Sequence, residues 1–275
     1  ILATWMGLSL AGYAVTEAGF AADLGAEKFF DIKCQAAGLK PEAVVLVVTV
    51  KALRHHGGAV KDALQQPDTG AVLKGLPNME KHIENLKVFG MHPVVCINRF
   101  PTDSAEEMDL IRESAAAYGV QAIECDAFGR GGEGAIDLAE AVKNVVEQKL
   151  CNFTPLYNWN DPVEEKISKI ATTIYGAKEV AYSVKARTNL KTIQQLGFQN
   201  MPVCMAKTPK SLSDDERKLS RPRDFIITVR EFEFASGAGF IIPILGDTMR
   251  MPGLPSMPAA ESIDLTEDGK IVGLF

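Results

Sequence analysis

Cysteine is sparse in this sequence, with five in 275 residues: Cys34, Cys96, Cys125, Cys151 and Cys204. The number is odd, the positions are widely spread, and no C-x-x-C pair occurs. This pattern speaks against a disulfide framework and for buried free thiols in a reducing compartment. Blocks of one charge are missing too. The 29 basic and 35 acidic residues are interspersed and leave a net charge of −6. Nonspecific nucleic-acid binding depends on a basic face, so it is not expected. No uninterrupted apolar run reaches about 18 residues, so no membrane-spanning helix is expected. Internal repeats and low-complexity stretches are absent. The opening ILATWMGLSLAGYAV lacks the basic segment of a signal peptide and has no initiating methionine. It reads as the end of a helix in a chain that starts inside a larger protein.

What is present is an alternation of strand and helix, in a chain that is 47% hydrophobic. Tyr13–Thr16 reads as a short strand, and 24–37 as a helix stopped by Gly38. The β-branched run AVVLVVTV (43–50) reads as a strand buried on both faces. Residues 57–77 are rich in turn formers and read as a loop or broken helix. Helix 78–89, strand PVVCIN (93–98), helix 104–118, strand 120–125 and helix 134–148 follow. This order implies βαβ units and an α/β fold with a mostly parallel sheet flanked by helices. Beyond Leu150 the texture changes. Helices are expected over 161–175 and 185–196, and a short strand over 203–206. A strand pair, 224–234 and 240–245, joins through Ser236–Gly239. The proline-rich tail reads as irregular wrapping.

In open α/β sheets, ligands bind at the carboxyl ends of the strands. Four segments therefore stand out. The first, 16–25, has Gly19 and Gly25 for close backbone approach, Phe20, and Glu17 and Asp23 as acids, bases or cation ligands. Asp23 reads equally as a helix cap. The second, 51–58, presents Lys51 and Arg54 to an anion. Its His55-His56 pair points two ways and has no ligand partners at metal spacing, so no metal site is assigned. The third and fourth hold Asn98 with Phe100, and Phe128 with Gly131 and Gly132. Phe100 and Phe128 either sandwich a flat heterocycle or pack in the core. Gly129, Gly131 and Gly134 match G-x-G-x-x-G between a strand and a helix. The acid expected about 20 residues on in a dinucleotide fold is missing. The milder reading is an anion cradle at a helix N-terminus, against glycines that serve only a tight turn.

Several stretches resemble the formate–tetrahydrofolate ligases. They are VVTVKALRHHGG (47–58), VTEAGF (15–20) followed by ADLGAEKF (22–29), and NRFPTD (98–103). MPVCMAKT (201–208), Gly246-Asp247 with MPGLP (251–255), and GKIVGLF (269–275) complete the set. The resemblance implies ATP-dependent formylation of tetrahydrofolate by formate, through formyl phosphate, to 10-formyltetrahydrofolate. It also implies ATP with Mg2+, activation by a monovalent cation (K+ or NH4+), and a cytoplasmic homotetramer. Phe100 and Phe128 would stack on the pterin, and the loop Glu17–Asp23 would lie near the formyl phosphate. Phe128 stands where the family usually has Trp, Ala21 where Gly is usual, Lys51 for Arg and Arg54 for Lys. No G-x-x-x-x-G-K-[ST] loop occurs in the sequence. Residues 1–80 are then expected to complete a P-loop-type nucleotide-binding domain and 81–275 to form a C-terminal α/β domain. The chain alone is expected to be inactive. A non-catalytic folate-binding homologue is the alternative, and an NAD-dependent dehydrogenase a further one.

Overall fold

The computed structural model describes residues 1–246, 256–267 and 271–273. The stretch Asp247–Pro255, with its Met251-Pro252-Gly253-Leu254-Pro255, lies outside them, as do Gly269, Lys270, Leu274 and Phe275.

The chain opens on α1 (Leu2–Leu10), whose side chains are not buried. Residues 11–19 are irregular, so the strand expected at Tyr13–Thr16 does not form. Tyr13 and Val15 stand exposed with no ladder partner beside them. A helical stretch follows, with wide turns at Ala21–Ala26 and Phe29–Cys34 and a final α-turn, α2 (Gln35–Ala37). Gly38 ends it in the left-handed conformation (φ 63°), as its sequence position suggested.

The first sheet is built from β1 (Val44–Val48), β2 (Pro93–Asn98) and β3 (Ala122–Cys125), all parallel and in that order. Between β1 and β2 run α3 (Val50–His56) and α4 (Thr69–Val88). Between β2 and β3 runs α5 (Ala105–Ala117). Alternation along β2 divides its neighbours: Val95 and Ile97 join the main core with Ile83 of α4 and Ile111 of α5. Val94 faces the other way.

The short α6 (Ala127–Arg130) leads to α7 (Ile136–Glu147), which covers that second face through Ala141 and Val145. It packs on β3 and β2, and leaves Val45 and Val47 of β1 exposed. β1 is thus an edge strand covered on one face, not the doubly buried strand expected.

The segment 57–77 also differs from expectation. After a 3-10 turn at Lys61–Ala63, α4 starts at Thr69 and continues through Pro77. Asp68 caps it by accepting from the Ala71 N–H at 2.8 Å. Proline at 77 removes the bond to the carbonyl of Leu73, a residue on the exposed side of the helix. Tertiary contact explains the helix better than propensity does. A Cβ on Gly75 would lie 2.0 Å from the Leu53 carbonyl oxygen, and one on Gly57 1.8 Å from that of Ala71. α3 and α4 therefore touch main chain to main chain.

The second half holds α8 (Val163–Lys169), a wide turn at Ile170–Tyr175, β4 (Glu179–Tyr182) and α9 (Val184–Gln195). β4 was not anticipated: it is four residues long and half-exposed. It pairs in parallel with β5 (Ile226–Ala235), which forms a hairpin with β6 (Phe240–Leu245) through Ser236–Gly239. Val203 and Ala206 bridge to β6 without forming a full strand. A small pair, β7 (Asp264–Leu265) and β8 (Ile271–Val272), lies in the tail. Among the described residues, no helix is long and apolar enough to cross a membrane.

The α3–α4 contact has a testable consequence. Gly75→Ala should cost about 1–3 kcal/mol of unfolding free energy. Gly70→Ala, which meets only the Asp68 side chain at 3.4 Å, should be neutral or stabilising by up to about 1 kcal/mol in urea denaturation.

Candidate functional site

The register of the first sheet brings three loops to one edge. Val48 pairs with Ile97 and Asn98 with Cys125, so the segments beginning at Thr49, Arg99 and Asp126 leave the sheet side by side. Lys51 sits in the first turn of α3, exposed to solvent. Asn98 ends β2, half-buried. Phe100 is 45% exposed and Phe128 97% exposed, which removes core packing as the reason for either ring. The loops are tied together by Arg99. Its N–H donates to the Cys125 carbonyl at 3.1 Å, and its guanidinium donates to Glu124 at 2.7 Å.

The glycine-rich segment 129–134 has two kinds of glycine. Gly129 and Gly134 serve the turn. The Gly129 N–H donates to Asp126 Oδ1 at 3.1 Å, and a Cβ on Gly134 would lie 2.1 Å from the Asp126 carbonyl oxygen. The Asp126 carboxylate therefore caps α6, a short helix that the sequence pattern did not suggest. Gly131 (φ 59°) and Gly132 are open, with nothing within 4 Å of an added Cβ. They leave backbone bare beside Phe128.

Arg54 does not face an external anion. It is fully buried and grips Glu107 with both arms of its fork, Nε to Oε1 at 2.7 Å and Nη2 to Oε2 at 2.6 Å. It also donates to the carbonyls of Leu64 (2.9 Å) and Thr102 (3.0 Å). Burial would raise the Glu107 pKa, but hydrogen bonds from Arg54, Ser104 and Asp68 hold it down at about 2. His56 is also committed: its Nδ1 accepts from the Ser220 N–H at 3.1 Å. Burial, then neighbouring His55, push it down to about 4, so it is neutral at pH 7.

In the 16–25 segment, Glu17 and Phe20 (76% exposed) face solvent. Gly19 takes φ 90°, and Gly25 packs directly on it; a Cβ at 25 would lie 2.5 Å from the Gly19 carbonyl carbon. Ala21, where glycine is usual, is held at φ 57°, a strained conformation for a residue with a Cβ. Asp23 is buried, and the Lys207 ammonium lies 2.6 Å from its Oδ2. Lys207 also donates to the Thr208 carbonyl at 3.0 Å and to that of Ser211. Burial opposes ionisation of Asp23. Lys207, with His82 and Lys28, overcomes it and keeps the pKa low.

One group of residues escaped the sequence reading. Glu27 and Asp31 follow Asp23 at steps of four on the same helical stretch, and both are fully buried. The signal was present as acids at i, i+4 and i+8 in an apolar run. Asp31 Oδ1 accepts from the Leu156 N–H at 2.7 Å, while Asp31 Oδ2 and Glu27 Oε1 have no hydrogen-bond partner. Lys28 lies 3.4 Å from Glu27 Oε2. Burial raises both pKa values, and the neighbouring Glu27 charge helps push Asp31 up to about 9.

These features define an α/β protein with a candidate binding edge of two solvent-facing aromatic rings, bare glycine backbone and a lysine. A family model described as formate–tetrahydrofolate ligase matches residues 1–275. The chain belongs to that family.

The buried acid pair sets a pH dependence. Folded Asp31 holds a proton up to about pH 9, whereas the unfolded carboxyl loses it near 3.8. Its stabilising contribution is full below 3.8 and declines as pH rises towards 9. Asp31→Asn should flatten that decline in denaturant titrations run across the range; an unchanged slope would count against the shared burial as its cause.

Proposed function

We propose that the carboxyl edge of the first sheet is the tetrahydrofolate side of an ATP-dependent formate ligation site. The observation that carries this reading is the pair of exposed rings, Phe100 and Phe128, on loops from adjacent strands in a chain of this family. A pterin is flat and apolar on both faces, so it gains most from aromatic walls with a polar rim. Asn98 and the bare backbone at Gly131 and Gly132 would supply the rim.

On this reading formate and ATP first give formyl phosphate and ADP. The folate amine then attacks the formyl carbon and phosphate leaves, giving 10-formyltetrahydrofolate. Lys51 would offer its ammonium to the departing phosphate. As a compact point charge it grips less rigidly than the guanidinium usual at that position. Glu17 would take or relay the proton of the attacking amine. Gly19 and Phe20 would bring backbone and ring close to the formyl phosphate. Asp23 would act by fixing this loop through its ion pair with Lys207, since that pair leaves it no free role as acid or base. Mg2+ would accompany ATP, and K+ or NH4+ would activate. The native assembly would be a cytoplasmic homo-oligomer. Residues 1–80 would complete a P-loop-type part and 81–275 the C-terminal part carrying the folate walls, the two sharing the first sheet through the pairing of β1 with β2.

Two measurements test this. Phe100→Ala should weaken tetrahydrofolate binding, measured by calorimetry, by about 1–3 kcal/mol; unchanged affinity would remove the pterin site. The 275 residues hold no G-x-x-x-x-G-K-[ST] loop to cradle the β- and γ-phosphates. This chain alone should therefore bind folate yet release no ADP in a coupled assay, and formate-dependent ADP release would overturn that expectation.

A further inference from the structure

Arg54 lies beneath the folate-facing edge and does not reach it. What it reaches is the loop that carries Phe100. Its Nη2 donates to the Thr102 carbonyl at 3.0 Å and lies 3.7 Å from Asp103 Oδ1. The other oxygen of Asp103 accepts from the backbone N–H of Phe100 at 2.8 Å, and the Asp103 N–H donates back to the Phe100 carbonyl at 3.0 Å. From the guanidinium to the backbone of the aromatic residue there is thus one intervening side chain.

The other end of this connection is equally fixed. Glu107 accepts from Arg54 through both oxygens, from the Asp68 N–H at 2.8 Å, and from the Ser104 N–H and hydroxyl, each at 3.0 Å. A carboxylate held from four sides cannot turn, so the guanidinium plane is set. α3 carries both Arg54 and Lys51, so the ligand-facing lysine and the ligand-facing ring take their places from one buried fork. The side chains of Arg54, Asp103 and Glu107 are fully buried, where such contacts gain strength from the low dielectric.

We propose that Arg54 is a positioning residue for folate binding, acting through Thr102 and Asp103 to fix the Phe100 ring. The inference rests on the reading of Phe100 as a pterin wall. The family usually carries lysine at this position, so the fork is particular to this chain: a lysine at 54 would keep the charge but could not hold Glu107 at both oxygens and Thr102 together.

A double-mutant cycle separates this role from general stabilisation. Tetrahydrofolate affinity is measured by calorimetry on the full chain for the wild type, Arg54→Lys, Phe100→Ala and the double variant. If Arg54 acts through the ring, Arg54→Lys should weaken binding at least about fivefold in the wild type but less than about twofold once Phe100 is alanine. Equal losses in both backgrounds, or no loss in either, would overturn the proposal. Wild-type affinity in Phe100→Ala would remove the folate reading and this inference with it, an outcome distinguishable from the other two. Asp103→Ala, which leaves the Arg54–Glu107 fork in place, should give the same background-dependent loss and serves if Arg54→Lys does not fold.

Discussion

β1, β2 and β3 run in one direction in a single hydrogen-bonded sheet, and the layout of the candidate site follows from it. Parallel pairing forces each connection to cross back over the sheet through helices. Every strand must then end on the same side. Lys51, Phe100 and Phe128 are far apart in sequence and belong to segments with different local structure: a helix start, a tight turn and a four-residue helix. They share an edge because Val48 pairs with Ile97 and Asn98 with Cys125 across the sheet. A shift of that register by one residue would turn the inward side chains of a strand outward and break both the core and the edge.

Behind this edge the chain buries several ionisable groups, and most of them join segments distant in sequence. Arg54 with Glu107 ties α3 to the start of α5. Asp23 with Lys207 ties the 16–25 segment to the approach to β5. Asp31 holds the backbone of Leu156, and Lys81 and Asn85 of α4 hold the carbonyls of Thr173 and Ile174. Apolar contacts would fill the same volume but would not select one register so sharply. Removing one member of the Arg54–Glu107 or Asp23–Lys207 pair leaves the other charged and dry, so these positions tolerate change poorly.

The helices and strands of the first 150 residues were readable wherever hydrophobic periodicity and a cap agreed, as at Gly38 or the Ser104 capping box. Other elements misled, and three of them show the physical reasons. Tyr13–Thr16 has strand-like residues, but strand formation needs a partner, which no local pattern can supply. Residues 69–77 contain proline and two glycines, yet they are helical because Gly75 lets α4 settle on α3. β4 is too short and too exposed to leave a period. The aromatic and glycine candidates were legible from their place after strands. The role of Arg54 was not, because nothing in 47–58 reveals that Glu107, some fifty residues on, takes up its charge. Glu27 and Asp31 were hidden by the opposite habit: acids on a helix are read as its wet face, and here they are inside.

The bare contact between α3 and α4 has a mechanical meaning. Side chains between two helices act as a compliant layer that absorbs small displacements by changing rotamer. At Gly57 and Gly75 that layer is absent, so the two helices form one stiff body. α4 extends about 30 Å at 1.5 Å per residue over its 20 residues. A push on the first turn of α3, where Lys51 meets solvent, would pass through this body to His56, Asn78 and Glu84, which hold Ser220 and Arg221.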